Sequence, residues 1–327
     1  MKPLPDRQPG AAALEAIAMS AGLTEEESQE SVERCKAAFS SVTGHSHVEL
    51  TRTGGEAIFR VLSAVGGSVM LPDQGIWQGT VKHCSGLGIP TTVLQTDLGL
   101  IDPERLSEAI KARRPKALFI TSFAGYIAEQ DLPAISEVCR EEGVLLIEDA
   151  SSSIGDGVLG KARYSDVIVG SAREPKLLFL KEGGFIATSN PEMAKTLESR
   201  GCQKPSPDAC AAMTAALKEA PQTLKELCSF SERLKERLDG VVHRGRRGPC
   251  VGVLTEAPKK VARKAAQSGL VTESGKTIFT TCPRYDRFLE KGLVIEVKKL
   301  DVGALGEAGL HRIIELIQRG SKKVRVF

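Results

Sequence analysis

The sequence predicts an α/β chain: a large domain on a mainly parallel sheet, then a small C-terminal α+β domain. Three observations carry that prediction. Residues 144–147 (Val-Leu-Leu-Ile) and 167–169 (Val-Ile-Val) are short apolar runs of the length and branching expected of buried parallel strands, and each leads into small polar residues. From Thr91 to Leu146 strand-like and helix-like stretches alternate, which implies parallel neighbours joined by right-handed crossovers. Beyond Asn190 the strands shorten and separate.

Composition narrows the class. At 327 residues with 41% hydrophobic residues, the chain is long enough for about two domains with a sizeable core. A net charge of +3, from 44 basic and 41 acidic residues, speaks against nucleic-acid or membrane binding across the whole surface. No apolar run approaches the roughly 20 residues of a membrane helix, and the first ten residues lack the apolar core of a signal peptide, so a cytoplasmic location is expected. Eight scattered cysteines without a Cys-x-x-Cys pair read as reduced thiols. The five histidines show no ligand spacing; His45 and His47 alternate as on a strand, and no metal site is expected.

In chain order, residues 1–22 form an N-terminal arm with a short helix over 11–19. Thr24 and Glu27 make a capping box that opens a helix running to about Phe39. A strand from His47 ends in the turn Thr53-Gly54-Gly55 before an apolar helix. Free N–H groups at such a helix start favour a phosphate, although a Gly-Gly turn is also a common structural device. A short strand at 69–72 leads to a loop with Trp77, the only tryptophan, which either stacks on a ligand or fills the core. Asp102 caps a helix with Pro103 in its first turn, residues 117–121 form a strand, and residues 131–142 form the helix leading into Val144. These stretches place a large domain at 23–200, a helical connection at 201–240 and a small domain at 241–327. In the small domain, strands are expected near Gly252 and Leu293, with helices at 259–268 and 304–318.

Ligands of open α/β sheets sit outside the carboxyl ends of the strands, which is where Asp149, Ser171 and Lys176 fall. A carboxylate, a hydroxyl and an amine suit pyridoxal 5'-phosphate, which needs an amine for its aldehyde, an anion beside its ring nitrogen and donors around its phosphate. The segment 146–188, with Glu148-Asp149 before a small-residue run, Ser171 five residues before Lys176, and then Glu182-Gly183-Gly184, resembles the DegT-type family of sugar aminotransferases among the fold-type I pyridoxal phosphate enzymes.

The resemblance implies a three-layer fold-type I large domain. In it Lys176 is the Schiff-base lysine, Asp149 pairs with the ring nitrogen and Ser171 binds phosphate together with Thr53, Gly54 and Gly55. Trp77 stacks on the ring, and the family's usual Gln or His near the phenolic oxygen is replaced by Ser152. A small-domain arginine often holds a substrate carboxylate in such enzymes. Arg284 is the candidate here, with Arg52 and Arg173 as comparable ones. Lys181 is out of register for the aldehyde. The basic run His243-Arg-Gly-Arg-Arg-Gly248 lacks interleaved aromatics and reads as a solvated loop.

The expected activity is amino transfer from a small-molecule amino acid donor to a keto acceptor, a keto sugar being one option, through Lys176 and with ping-pong kinetics. A homodimer with sites between subunits is implied by the resemblance. Two other readings stay open: a lyase or sulfur- or selenium-transfer enzyme of the same fold, cysteine desulfurase-like or aminoacyl-tRNA modifying, with Cys202 on a loop as its cysteine, and a non-catalytic binding protein.

Overall fold

The computed structural model describes residues 2–322. Two helices, α1 (Ala11–Met19) and α2 (Glu25–Thr43), come first, and the Thr24–Glu27 capping box forms in both directions. Then follow β1 (His47–Thr51), α3 (Gly54–Ala64), β2 (Val69–Pro72), α4 (Gln78–Gly86), β3 (Thr91–Leu94), α5 (Pro103–Arg113) and β4 (Ala117–Thr121). A small ribbon of β5 (Phe123–Ala124) and β6 (Ala128–Glu129) precedes α6 (Leu132–Glu141), β7 (Leu145–Asp149), β8 (Val167–Ser171), β9 (Gly184–Thr188) and α7 (Pro191–Ser199).

Seven of these strands form one sheet in the order β1-β9-β8-β7-β4-β2-β3. The pairs from β8 through β7, β4 and β2 to β3 are parallel, whereas β9 runs antiparallel to both β8 and β1. Strands β4 and β9 are buried at every position, as both-face coverage demands. Side-chain alternation divides the core into two layers. Leu118, Ile120, Leu146, Ile168 and Phe185 face α2, α5, α6 and the long helix that follows the sheet. Phe119, Ile147, Val167, Val169 and Ile186 face α3, α4 and α7. Phe39 of α2 stacks on Phe185 with centroids 4.2 Å apart, and an added Cβ on Gly170 would lie 2.4 Å from that ring.

The chain then crosses in a single helix, α8 (Pro207–Arg237), which passes through Pro221. The small domain holds β10 (Val251–Leu254), α9 (Pro258–Gln267), β11 (Phe279–Cys282), β12 (Gly292–Ile295), a 3₁₀ turn (Val297–Lys299) and α10 (Val302–Lys322), kinked at Gly306. Its sheet is antiparallel in the order β10-β12-β11. The N-terminal segment spans both parts. Leu4 bridges to Thr272 and Asp6 to Leu300, while Arg7 donates to the carbonyls of Lys176 and Leu177 and lies 4.8 Å from the Phe179 ring centroid. No helix among the described residues is long and apolar enough to cross a membrane.

Candidate active site

The carboxyl ends of β7 and β8, the start of α3 and the loop entering α4 enclose a cleft of about 330 Å³. Thr53, Gly54, Gly55, Ile58, Trp77, Asp149, Ser151, Ser171, Arg173, Glu174 and Lys176 line it. Seven of the eight cofactor residues expected from sequence therefore meet at one place, although 123 residues separate Thr53 from Lys176.

Each side of the cleft has a local cause. Thr53 is the N-cap of α3, its hydroxyl accepting from the Glu56 N–H at 3.1 Å. The first-turn amides of a helix have no intrahelical acceptor, so this end offers N–H donors and a positive dipole. A Cβ on Gly54 would come within 2.5 Å of the Ser171 Cβ, so only glycine lets the helix start press against the end of β8. Trp77 caps α4 from the opposite wall and lies over Gly55, where an added Cβ would be 3.1 Å from the indole. The tryptophan is 39% exposed, which excludes the core-filling reading.

Asp149 is buried at the end of β7 and accepts from the Ser151 N–H at 3.0 Å and from the Ser151 hydroxyl, both on Oδ1. Ser151 Oγ in turn accepts from the Ser171 N–H at 2.9 Å. Its neighbour Glu148 points to the other face, where Ser122, Ser165 and the Gly160 N–H satisfy it, and burial pushes its carboxyl above the ordinary value. Lys176 Nζ donates to the Tyr126 hydroxyl. Burial lowers the proton affinity of this amine, with Asp149 opposing. A free amine, a buried carboxylate whose Oδ2 is not used by Ser151, and a glycine-lined helix start match the three functions that pyridoxal phosphate presents, so the residues present fit that group.

Two expected site residues lie elsewhere. Ser152 does not line the cleft: its hydroxyl is buried with no hydrogen-bond partner, and the serine of this run that lines it is Ser151. The chain turns immediately after β7, with Ser153 and Ile154 donating back to the Ala150 carbonyl, so the first serine of the run faces β8. Arg284 is also outside the cleft, its side chain 60% exposed and paired with Asp286 at 2.6 Å. Arg287, one turn further, is the buried arginine, with Nε and Nη2 donating to Glu296 Oε1 at 2.9 and 2.8 Å. Arg52 pairs with Glu182 beside the cleft, and Arg173 lines it while donating to the Lys181 carbonyl. The Cys202 thiol donates to the Leu50 carbonyl, lines a different groove and is raised in pKa by burial, which does not suit a nucleophile. Ser151, Ile58 and Glu174 were not singled out as site residues from sequence, and Tyr126, in a loop that the resemblance sets beside the cofactor, was given no role; three consecutive serines hid the first of them.

The model of the DegT/DnrJ/EryC1/StrS aminotransferase family matches residues 10–235, more than two thirds of the chain. The chain belongs to this family. It is thus a pyridoxal phosphate-dependent aminotransferase of fold type I, acting on a small-molecule amino donor and a keto acceptor. The DegT-family match ends within α8, and residues 221–318 match the MJ1341 family C-terminal domain. Among solved structures, 3-amino-5-hydroxybenzoic acid (AHBA) synthase superposes with a TM-score of 0.78 at 19% identity, covering 99% of this chain and 100% of the other. PseC of Helicobacter pylori, an aminotransferase involved in the biosynthesis of pseudoaminic acid, gives 0.77 at 14% identity with 98% and 100% covered. Alanine–glyoxylate aminotransferase from Nostoc sp. gives 0.74 at 16% identity with 97% and 94% covered. At these identities the likeness concerns the fold.

Proposed function

We propose that Lys176 is the amine that carries the cofactor and moves the substrate proton. Asp149 serves the ring nitrogen, Thr53, Gly54, Gly55 and Ser171 hold the phosphate at the start of α3, and Trp77 covers one face of the ring. The observation that supports this reading is the convergence of these groups, from four separate segments, on one cleft. Bound there, pyridoxal phosphate supplies an aldehyde that takes up amino groups and a protonated ring that draws electrons from the reacting carbon. The chain supplies the rest. Asp149, buried and fixed through Ser151, places a negative charge where a ring N–H is to stay protonated. Lys176, once released by the incoming donor, takes the proton from the donor's Cα, and burial favours the neutral amine that this step requires. Trp77 and Ile58 add apolar surface to the walls of the cleft.

A keto sugar is the acceptor class that membership of this family suggests. A homodimer would cover the exposed apolar side chains of Trp77 and Phe59 beside the cleft. Eight cysteines present as free thiols suit a reducing cytoplasmic setting.

Treatment with pyridoxal phosphate and then borohydride tests the assignment. Wild-type protein is expected to turn yellow and to retain the cofactor covalently on the peptide containing Lys176, whereas Lys176→Ala retains none. Equal trapping in the variant, on another lysine, would overturn the assignment.

A further inference from the structure

Tyr126 stands out beside the lysine. It sits in the turn between β5 and β6 with φ of +68°, a left-handed conformation that a bulky residue adopts rarely and at a cost, and it follows Gly125 at +54°. Its ring is 5% exposed. Three cations surround it: Lys176 Nζ at 4.3 Å from the ring centroid, the Arg287 guanidinium at 4.7 Å and Lys298 Nζ at 3.2 Å. Its hydroxyl accepts the hydrogen bond from Lys176. The turn has no freedom to retreat, because a Cβ on Gly125 would meet the Arg287 carbonyl at 2.7 Å.

Resting on the reading of Lys176 given above, we propose that Tyr126 is the positioning residue of this lysine, a small-domain-anchored phenol that fixes Nζ at the cleft and sets the form in which it waits. The argument is one of geometry. A four-carbon side chain has several rotatable bonds, and a single acceptor with a fixed address removes that freedom. The address is held from the small domain: Glu296 binds Arg287 and lies 3.4 Å from Lys298, and these two bases bracket the Tyr126 ring. Burial raises the phenol's pKa to about 12, so it stays a neutral acceptor through the working range. The charged groups acting on the amine are Asp149 on β7 and Asp286, Arg287 and Glu296 of the small domain, with Lys298 acting through the same ring.

Removing only the hydroxyl, in Tyr126→Phe, has two opposite consequences. The ammonium form loses its acceptor, so the amine gives up its proton at lower pH, while its capture of the cofactor slows because Nζ is no longer held. The experiment reads both on the full chain, freed of cofactor with hydroxylamine. Acetic anhydride labelling of Lys176 against pH, followed by peptide mass spectrometry, is expected to show a midpoint at least about half a pH unit lower in the variant. Borohydride-trapped attachment of pyridoxal phosphate is expected to be about tenfold slower or more. A folded Tyr126→Phe protein with an unchanged labelling midpoint overturns the proposal, as does one with an unchanged capture rate. A wild-type protein that captures no cofactor on Lys176 instead overturns the cofactor reading, whereas the labelling profile, taken without cofactor, still decides whether Tyr126 governs the amine.

Discussion

At the scale of single residues, Gly54 shows how little room the α3 end of the cleft has. An added methyl would meet the Cβ of Ser171 at 2.5 Å and its Cα at 2.9 Å, so backbone must move. Alanine gains about 1 kcal/mol of helix propensity over glycine, but overpacking at a backbone contact costs about 1–3 kcal/mol. The crowding wins. Gly54→Ala is expected to lower the melting temperature and to weaken pyridoxal phosphate binding about tenfold or more, as followed by quenching of Trp77, the only tryptophan. An unchanged melting temperature with undiminished binding would mean that the helix start does not bear on the cofactor. At this scale the sequence was legible wherever a residue type allows few jobs: Lys176, Asp149 and the Thr53-Gly54-Gly55 turn all line the cleft. It was illegible where identical neighbours compete, as with Ser151 and Ser152. It was also illegible where a residue's contacts cross domains, as for Arg287.

At the scale of elements, the junction between β12 and the 3₁₀ turn carries a buried acid between two buried bases. Burial by itself would raise the Glu296 carboxyl, yet Arg287, Lys298 and the Thr280 hydroxyl hold it well below the usual carboxylate range. The sign follows from the direction. With the folded-state pKa depressed, the stability from this group is present above the unfolded value of 4.5 and is lost as pH falls towards the folded one. Glu296→Gln leaves two buried cations without their partner, a loss of about 3–5 kcal/mol. Urea midpoints between pH 7 and 3 are expected to fall further for the wild type than for the variant; parallel decline would remove Glu296 from the account. Helix caps were readable because they are local chemistry: the Thr24–Glu27 box and Asp102 with Pro103 form as expected. Strand β11, Phe-Thr-Thr-Cys, was missed because four half-polar residues carry no clear period. Helix α8 runs unbroken through Pro221, against a local cost of about 3 kcal/mol, because Leu217, Ala220 and Leu224 bury beside it.

At the scale of the molecule, the unpaired thiols form a distributed alkaline trigger. Burial raises Cys84, Cys250 and Cys282 to about 11 and Cys139 and Cys228 to about 12, from an ordinary 9.0. Between those values the unfolded chain has released protons that the folded chain keeps, so stability falls as pH rises, by up to about 1.4 kcal/mol per unit for each thiol. Lys235, lowered by burial to about 8, works in the opposite sense between 8 and 10.5. Burial lowers Lys161, Lys176 and Lys298 in the same sense, but the Cys35 and Cys202 thiols are raised as well, so seven thiols stand against four lysines. Guanidinium midpoints under reducing conditions are expected to drop steeply above pH 9, and Cys139→Ala to flatten that slope by about one proton; a midpoint steady to pH 10.5 would refute this. The parallel sheet and the change to a smaller antiparallel domain were legible in the rhythm of the chain. The docking of residues 4–7 was not, because it is decided by partners more than a hundred residues away, and neither was β9, which returns antiparallel to its near neighbour β8 and also pairs with the distant β1.

That N-terminal segment gives assembly an order in time. Arg7 holds the carbonyls of Lys176 and Leu177 and, with Leu4 and Asp6, seats itself on residues 271–300. A ribosome adding about 5–20 residues per second needs roughly 15–60 seconds to deliver those partners. The segment around Arg7 therefore waits for partners made more than 260 residues later, and the loop that carries Lys176 is clamped only after residues 271–300 have followed.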